Sequence, residues 1–91
     1  MFVGEVIGNV VATKKDERLV GCKLLIVRPL DPRKPLRDKI PQVAVDIVGA
    51  GMGEIVLVAE GSSARHALDK ADAPIDAAIV GIVDTLEVRE P

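Results

Sequence analysis

Five stretches of the chain carry apolar side chains with the period of two that marks an extended strand. In residues 2–13, Phe2, Val6, Val10 and Ala12 fall on one face with Gly4 and Gly8. Val3, Ile7 and Val11 fall on the other with Glu5, Asn9 and Thr13. Residues 23–30 set Leu24, Ile26 and Arg28 against Leu25, Val27 and Pro29. Residues 42–48, 54–60 and 77–88 supply the third, fourth and fifth strands. Between the first two lies Lys-Lys-Asp-Glu-Arg (14–18), a solvated turn. Between the second and third, Pro32, Pro35 and Pro41 stand among charged residues and forbid regular ladder bonding, so 31–41 reads as a surface loop. One stretch has helical character. It runs from Ser62 to about Ala71, with Ser62 or Ser63 as N-cap and Pro74 just beyond its end.

The predicted order is therefore β-β-β-β-α-β with short connections, a mainly β chain in which most neighbours pair antiparallel. A small five-stranded barrel is the natural closure, because an open sheet this apolar would leave adhesive edges.

Both faces of the later strands are apolar. The fourth has Ile55, Leu57 and Ala59 on one side and Val56 and Val58 on the other. The fifth sets Ala77, Ile79 and Val83 against Ala78, Val80 and Ile82. An antiparallel sheet usually has one polar face. A small barrel has one interior, and a single short helix cannot shield everything outside it. The second face then calls for a neighbouring copy, since exposed apolar patches mark such contacts. The pattern predicts a homo-oligomer; the competing picture is a monomer with an aliphatic-rich surface.

Composition narrows the function. Ninety-one residues make a single domain, 1–91, in which 48% are hydrophobic and Phe2 is the one aromatic. The net charge of −2, from 12 basic and 14 acidic residues, sets up no field for nucleic acid or an anionic membrane. Barrels that bind single strands stack bases on aromatics in a basic groove, and this chain lacks both. Cys22 stands alone, so no intrachain disulfide forms and a reduced cytoplasmic setting is expected. Glu5 and Gly8 interrupt any signal-peptide core, and no apolar run nears the roughly 18 residues of a membrane helix.

The loop Gly49-Ala50-Gly51-Met52-Gly53 invites a nucleotide reading. A dinucleotide fingerprint, however, would need glycine where Glu54 stands and a helix where a strand follows. The P-loop Gly-Lys-Ser/Thr ending is missing as well. Three glycines in five residues instead mean a tight turn or a close approach of chains. Ser62, Ser63 and His66 could be imagined as nucleophile and base, or the helix start as a phosphate cradle. Simple capping explains the serines. Arg65 and His66 sit near the helix end that disfavours cations, which gives Arg65 reason to have a specific partner, with a neighbouring chain as the expected source. Asp46, Asp76 and Asp84 lie in or near separate strands and take solvated or turn roles. One His and one Cys cannot build a zinc site, and no cofactor or metal is expected. Cys22 reads as a small strand residue. Arg33, Lys34, Arg37 and Lys39, interleaved with Asp31 and Asp38, form a solvated loop or a dock for an acidic partner.

Several segments together resemble the bacterial microcompartment vertex family, the pentameric shell proteins of carboxysomes and of ethanolamine- and propanediol-type organelles. They are residues 8–15 (Gly-Asn-Val-Val-Ala-Thr-Lys-Lys), 19–27 (Leu-Val-Gly-Cys-Lys-Leu-Leu-Ile-Val), 44–54 (Ala-Val-Asp-Ile-Val-Gly-Ala-Gly-Met-Gly-Glu), 61–65 (Gly-Ser-Ser-Ala-Arg) and 74–84 (Pro-Ile-Asp-Ala-Ala-Ile-Val-Gly-Ile-Val-Asp). The resemblance implies an OB-like antiparallel barrel with one helix between the fourth and fifth strands, assembled as a homopentamer. Its partners would be copies of itself and hexameric shell proteins, with no nucleic acid, no membrane and no catalysis. The expected location is the shell of a cytoplasmic microcompartment; the ending at Glu90-Pro91 leans toward a catabolic type. Gly49, Ala50, Gly51, Met52, Gly53 and Glu54 would lie at the pentamer axis, and Ser62, Ser63, Arg65 and His66 at the subunit interface. The alternative is a small ligand- or nucleic-acid-binding OB-type barrel.

Overall fold

A computed structural model describes residues 1–13, 15–30, 40–70, 72–87 and 89. Five strands, β1 (Phe2–Val10), β2 (Lys23–Pro29), β3 (Gln42–Asp46), β4 (Ile55–Glu60) and β5 (Ala77–Ile82), close into a barrel in the order β1-β2-β3-β5-β4. One helix, α1 (Ser62–Ala67), lies between β4 and β5. Four seams are antiparallel and one, β3 to β5, is parallel. The parallel seam is a matter of parity: directions cannot alternate all the way round a ring with an odd number of strands.

The barrel interior is aliphatic. Val6, Leu25, Val27, Ala44, Val56, Val58, Ala77 and Ile79 fill it, with Ala50 entering from the loop after β3 and Phe2 packed against the rest. Gly4 is required at this density. A Cβ there would collide with Val27 Cγ1 and lie 2.9 Å from the Arg28 carbonyl oxygen. A second cluster lies outside the barrel wall. Val45 and Ala78 are covered there by Ala64 of α1 and by Ala73 and Ile75, with Leu19, Cys22, Leu24, Leu68 and Val80 around them.

Two bulges correct the predicted faces. The β1–β2 register shifts between Val6 and Gly8, so Val10 pairs with Leu24 and leaves the inward face that Phe2 and Val6 share. The β4–β5 register shifts between Leu57 and Val58. Ile82 thereby pairs with Val56 instead of following Val80.

The predicted elements also run long. β1 ends at Val10 rather than residue 13, and β5 at Ile82 rather than 88. The helix stops at Ala67, short of residue 71. Asp69 has taken the left-handed conformation (φ 56°), and the amides of Asp69 and Lys70 donate back to the carbonyls of His66 and Arg65. That paired closure is a Schellman motif, which ends a helix by satisfying its last carbonyls. Following Asp16, residues 17–19 form one turn of 3-10 helix capped by the Asp16 side chain. Cys22 lies one residue before β2, half-buried against the outer cluster. The basic loop of Arg33, Lys34, Arg37 and Lys39 lies outside the described residues.

Candidate assembly surface

The 49–53 loop is bonded to its own chain at almost every turn. It leaves β3 at Asp46, whose side chain is 1% exposed. Asp46 Oδ1 accepts from the Val48 amide at 3.1 Å and Oδ2 from the Ala50 amide at 2.9 Å. Lys23 lies opposite Asp46 in the β2–β3 register. Its Nζ is 3.5 Å from Asp46 Oδ2 and donates to the Ala50 carbonyl at 2.8 Å. Farther along, Glu54 Oε1 accepts from the Gly51 amide at 2.6 Å. The Gly53 amide donates to the Val6 carbonyl at 2.8 Å, and the Val6 amide donates to the Glu54 carbonyl at 3.0 Å. The last two extend the β1–β4 ladder one step beyond Glu5–Ile55.

Gly49 and Gly53 have φ of 81° and 82°, the left-handed region where a Cβ is strained. No atom lies within 4 Å of a Cβ placed on either, so the demand for glycine within one chain is conformational rather than steric. Ala50 is fully buried in the barrel core. Met52 is 65% exposed, and Ile47 and Val48 beside the loop are exposed too. The outward surface of the loop is thus Gly49, Met52 and Gly53, with Gly51 and Glu54 half-buried behind it.

The helix region differs in detail from the expectation. The N-cap of α1 is Gly61 (φ 62°, ψ −137°), and no side-chain hydrogen bond caps it. Ser62 and Ser63 are exposed residues of the first turn, not caps. A serine at the cap would have to adopt the positive φ that glycine takes freely. The Gly61 amide donates to the Asp76 carbonyl at 2.8 Å, so it is not free to hold a phosphate. Among the described residues no hydrogen bond joins Ser62 or Ser63 to His66, which is exposed. Arg65 finds its partner within the chain: Nη1 donates to the Ile75 carbonyl at 2.9 Å and ties α1 to the segment that leads into β5.

The rim of this covered wall has a second tie. Arg18 donates to both Asp16 carboxylate oxygens and to the Asp72 carbonyl, and Lys70 Nζ donates to the Arg18 carbonyl at 3.2 Å. The hydrogen bond from the Arg18 guanidinium holds the Asp16 carboxyl well below the usual carboxylate range.

The sequence gives Asp46 either a solvated or a turn role. The turn role holds; the side chain is not solvated. An Asp at a strand end just before a glycine loop is a recognisable Asx-turn signal. Lys23 was not legible at all, since its partnership depends on strand register.

An open cleft of about 280 Å³ lies between the end of β1 and the start of β2, lined by Asn9, Val10, Lys15, Cys22, Lys23 and Leu24 among others. No aromatic ring lines it, and Phe2 is packed against the barrel core. Nothing there favours a nucleic-acid-binding barrel. Among the described residues no group of His, Cys, Asp and Glu could hold a metal, and no helix is long and apolar enough to cross a membrane.

Residues 1–84 match the family model for ethanolamine utilisation protein EutN/carboxysome. The chain is 56% identical over 87 residues to the bacterial microcompartment shell vertex protein GrpN of Rhodospirillum rubrum, covering 96% of this chain and 97% of that protein. It is 48% identical over 91 aligned positions to the shell vertex protein PduN of Salmonella typhimurium, covering 94% and 98%. Among solved structures, the pentameric microcompartment shell protein GrpN of R. rubrum superposes with a TM-score of 0.83 at 54% identity, covering 99% of this chain and all of that one. Sequence and barrel together place this chain in the EutN/carboxysome family of microcompartment shell vertex proteins.

Proposed function

We propose that this protein is a structural shell component whose five copies form a ring that caps the five-fold vertices of an icosahedral bacterial microcompartment. The observation that carries the proposal is the near-full-length match, in sequence and in fold, to proteins named as shell vertex proteins and as pentameric shell proteins. The family is structural, and the protein is not an enzyme.

The lone chain supports this independently. Its helix covers one outer wall of the barrel. The outer side chains of β1 and β4, Val3, Ile55 and Leu57, stay half-exposed, and Ile47, Val48 and Met52 are exposed beside the glycine loop. A head-to-tail contact that closes after five steps buries such surface in every copy. Its flat neighbours would be hexameric shell proteins tiling the facets. In this arrangement residues 49–54 lie near the five-fold axis, where glycines without side chains let five chains converge. Ser62, Ser63, Arg65 and His66 lie toward the adjacent subunit. Among the described residues Arg65 uses one N–H, on the Ile75 carbonyl, so its guanidinium can serve a neighbour as well.

Native mass spectrometry of the purified protein, with light scattering beside it, tests the reading. A dominant species of five chains is expected. A monomer or dimer at every concentration would overturn it. Co-expression with hexameric shell proteins should then yield closed particles that fail to close when this chain is omitted.

A further inference from the structure

We infer that the 49–54 loop is a preformed contact element, held in its assembled shape within each single chain by Asp46, Lys23 and Glu54. The inference rests on the vertex reading for what the loop contacts, but not for how it is held. A glycine loop with two left-handed residues is ordinarily the costliest kind of segment to order. If it were ordered only when neighbours arrive, that cost would be subtracted from association. In this chain the loop is held by bonds made within the chain itself. Both Asp46 oxygens accept loop amides, Glu54 closes the far side on the Gly51 amide, Lys23 holds the Ala50 carbonyl, and Ala50 is fully buried in the core. The amides of Val48, Ala50, Gly51 and Gly53 all have acceptors in their own chain. Gly49, Met52 and Gly53 are left as the outward surface. Glu54 is thus a positioning residue whose working atom is one acceptor oxygen, and Asp46 is one whose two oxygens do separate jobs.

This division of labour predicts an unusual substitution pattern. Glu54→Gln keeps an acceptor for the Gly51 amide, whereas Glu54→Ala removes it. Asp46→Asn keeps one acceptor and turns an NH2 toward the other amide, so it serves only one of Val48 and Ala50. The test measures two things on the wild-type protein and these three variants. One is the concentration at which the assembly falls apart, by native mass spectrometry over a dilution series. The other is amide hydrogen exchange at Ala50 and Gly51 relative to the core amides of Val58 and Ile79.

In Glu54→Ala the dissociation concentration should rise about tenfold or more and Gly51 exchange should quicken by a similar factor, on the scale of a lost charge-assisted hydrogen bond. Core amides should stay protected. Glu54→Gln should remain within about threefold of wild type in both, and Asp46→Asn should fall between. Two results overturn the inference: Glu54→Ala assembling at wild-type concentrations, or Glu54→Gln failing as badly as Glu54→Ala, which would mean that the charge meets a neighbour rather than the loop. If Glu54→Ala does not fold, the Gln and Asn variants decide it by the same order. If wild type forms no pentamer, the vertex reading fails, while the exchange pattern still judges the preformed loop.

Discussion

The barrel has two apolar outer walls with opposite fates. Beneath α1, the side chains of Val45 and Ala78 are sealed by Ala64, Ala73 and Ile75, all at most 5% exposed. On β1 and β4 the paired residues Val3–Leu57 and Glu5–Ile55 carry outward side chains that remain half-exposed. The covered wall is built from small residues, so a six-residue helix can come close enough to bury it. Its rim is laced by Arg65 to Ile75, Arg18 to Asp72 and Lys70 to Arg18. The bare wall has the larger Ile and Leu, and its edge is tied, among the described residues, by the exposed Met1 amino group donating to Glu60 Oε1 at 3.1 Å. The difference teaches that apolar outer faces are not surplus core. One is closed within the chain; the other stays half-exposed, and it is the face we propose a neighbour covers.

The sharpest way to break this comparison is to truncate one residue on each wall. Ile75→Ala should cost about 3 kcal/mol of folding stability and lower the melting temperature equally at every protein concentration. Leu57→Ala should cost about 1 kcal/mol in the lone chain, with a further loss that appears as a concentration-dependent melting temperature. Equal, concentration-independent losses would erase the distinction.

Gly51→Val probes the loop end of the bare side. An added Cβ meets Glu54 Oε1 at 3.3 Å, so the larger side chain must displace the carboxylate as well as crowd any neighbour. A weakening of assembly by about 2 kcal/mol is expected; unchanged mass and melting temperature would remove the loop from the contact.

Arg65→Ala separates lacing from bridging. Loss of the Ile75 hydrogen bond alone should cost about 1 kcal/mol of barrel stability. A native mass that falls below five chains at concentrations where wild type is intact would add a role between subunits. Full assembly with only the local loss would leave Arg65 a tie within the covered wall.

Asp69→Gly should go the other way. The position is left-handed and sits at a helix C-terminus, where an acid is disfavoured, so a gain of up to about 1 kcal/mol is expected in thermal melts.

The smallest effect concerns the rim. The Asp16 carboxyl, lowered by the Arg18 hydrogen bond, should titrate by NMR below 3.8. Its contribution to stability is present above the unfolded value and fades only as pH falls through the lower folded one. Arg18→Ala should raise the midpoint toward the ordinary range without fully restoring it, because the residue-18 amide still donates to Asp16 Oδ1.

Much of this molecule is legible in its sequence. Alternation located all five strands and the two-sided apolar pattern. Pro74 and the Gly-Ser-Ser run located the helix, and the order of the motifs carried the family. What failed did so for local reasons. Phase along β1 broke at the bulge after Val6, because one extra residue flips every later side chain. The cap was misplaced onto serine because glycine's tolerance of positive φ leaves no mark that distinguishes a cap from a turn.

By itself, then, the sequence determined which residues could be strands and that two faces would be apolar. These follow from periodicity and residue chemistry, which are local. The tertiary structure decided which face turned inward, that β3 and β5 would meet in parallel, and that Lys23 would stand opposite Asp46. Those depend on register and ring closure, which bring together residues far apart in the chain and so cannot be read from any one stretch of it.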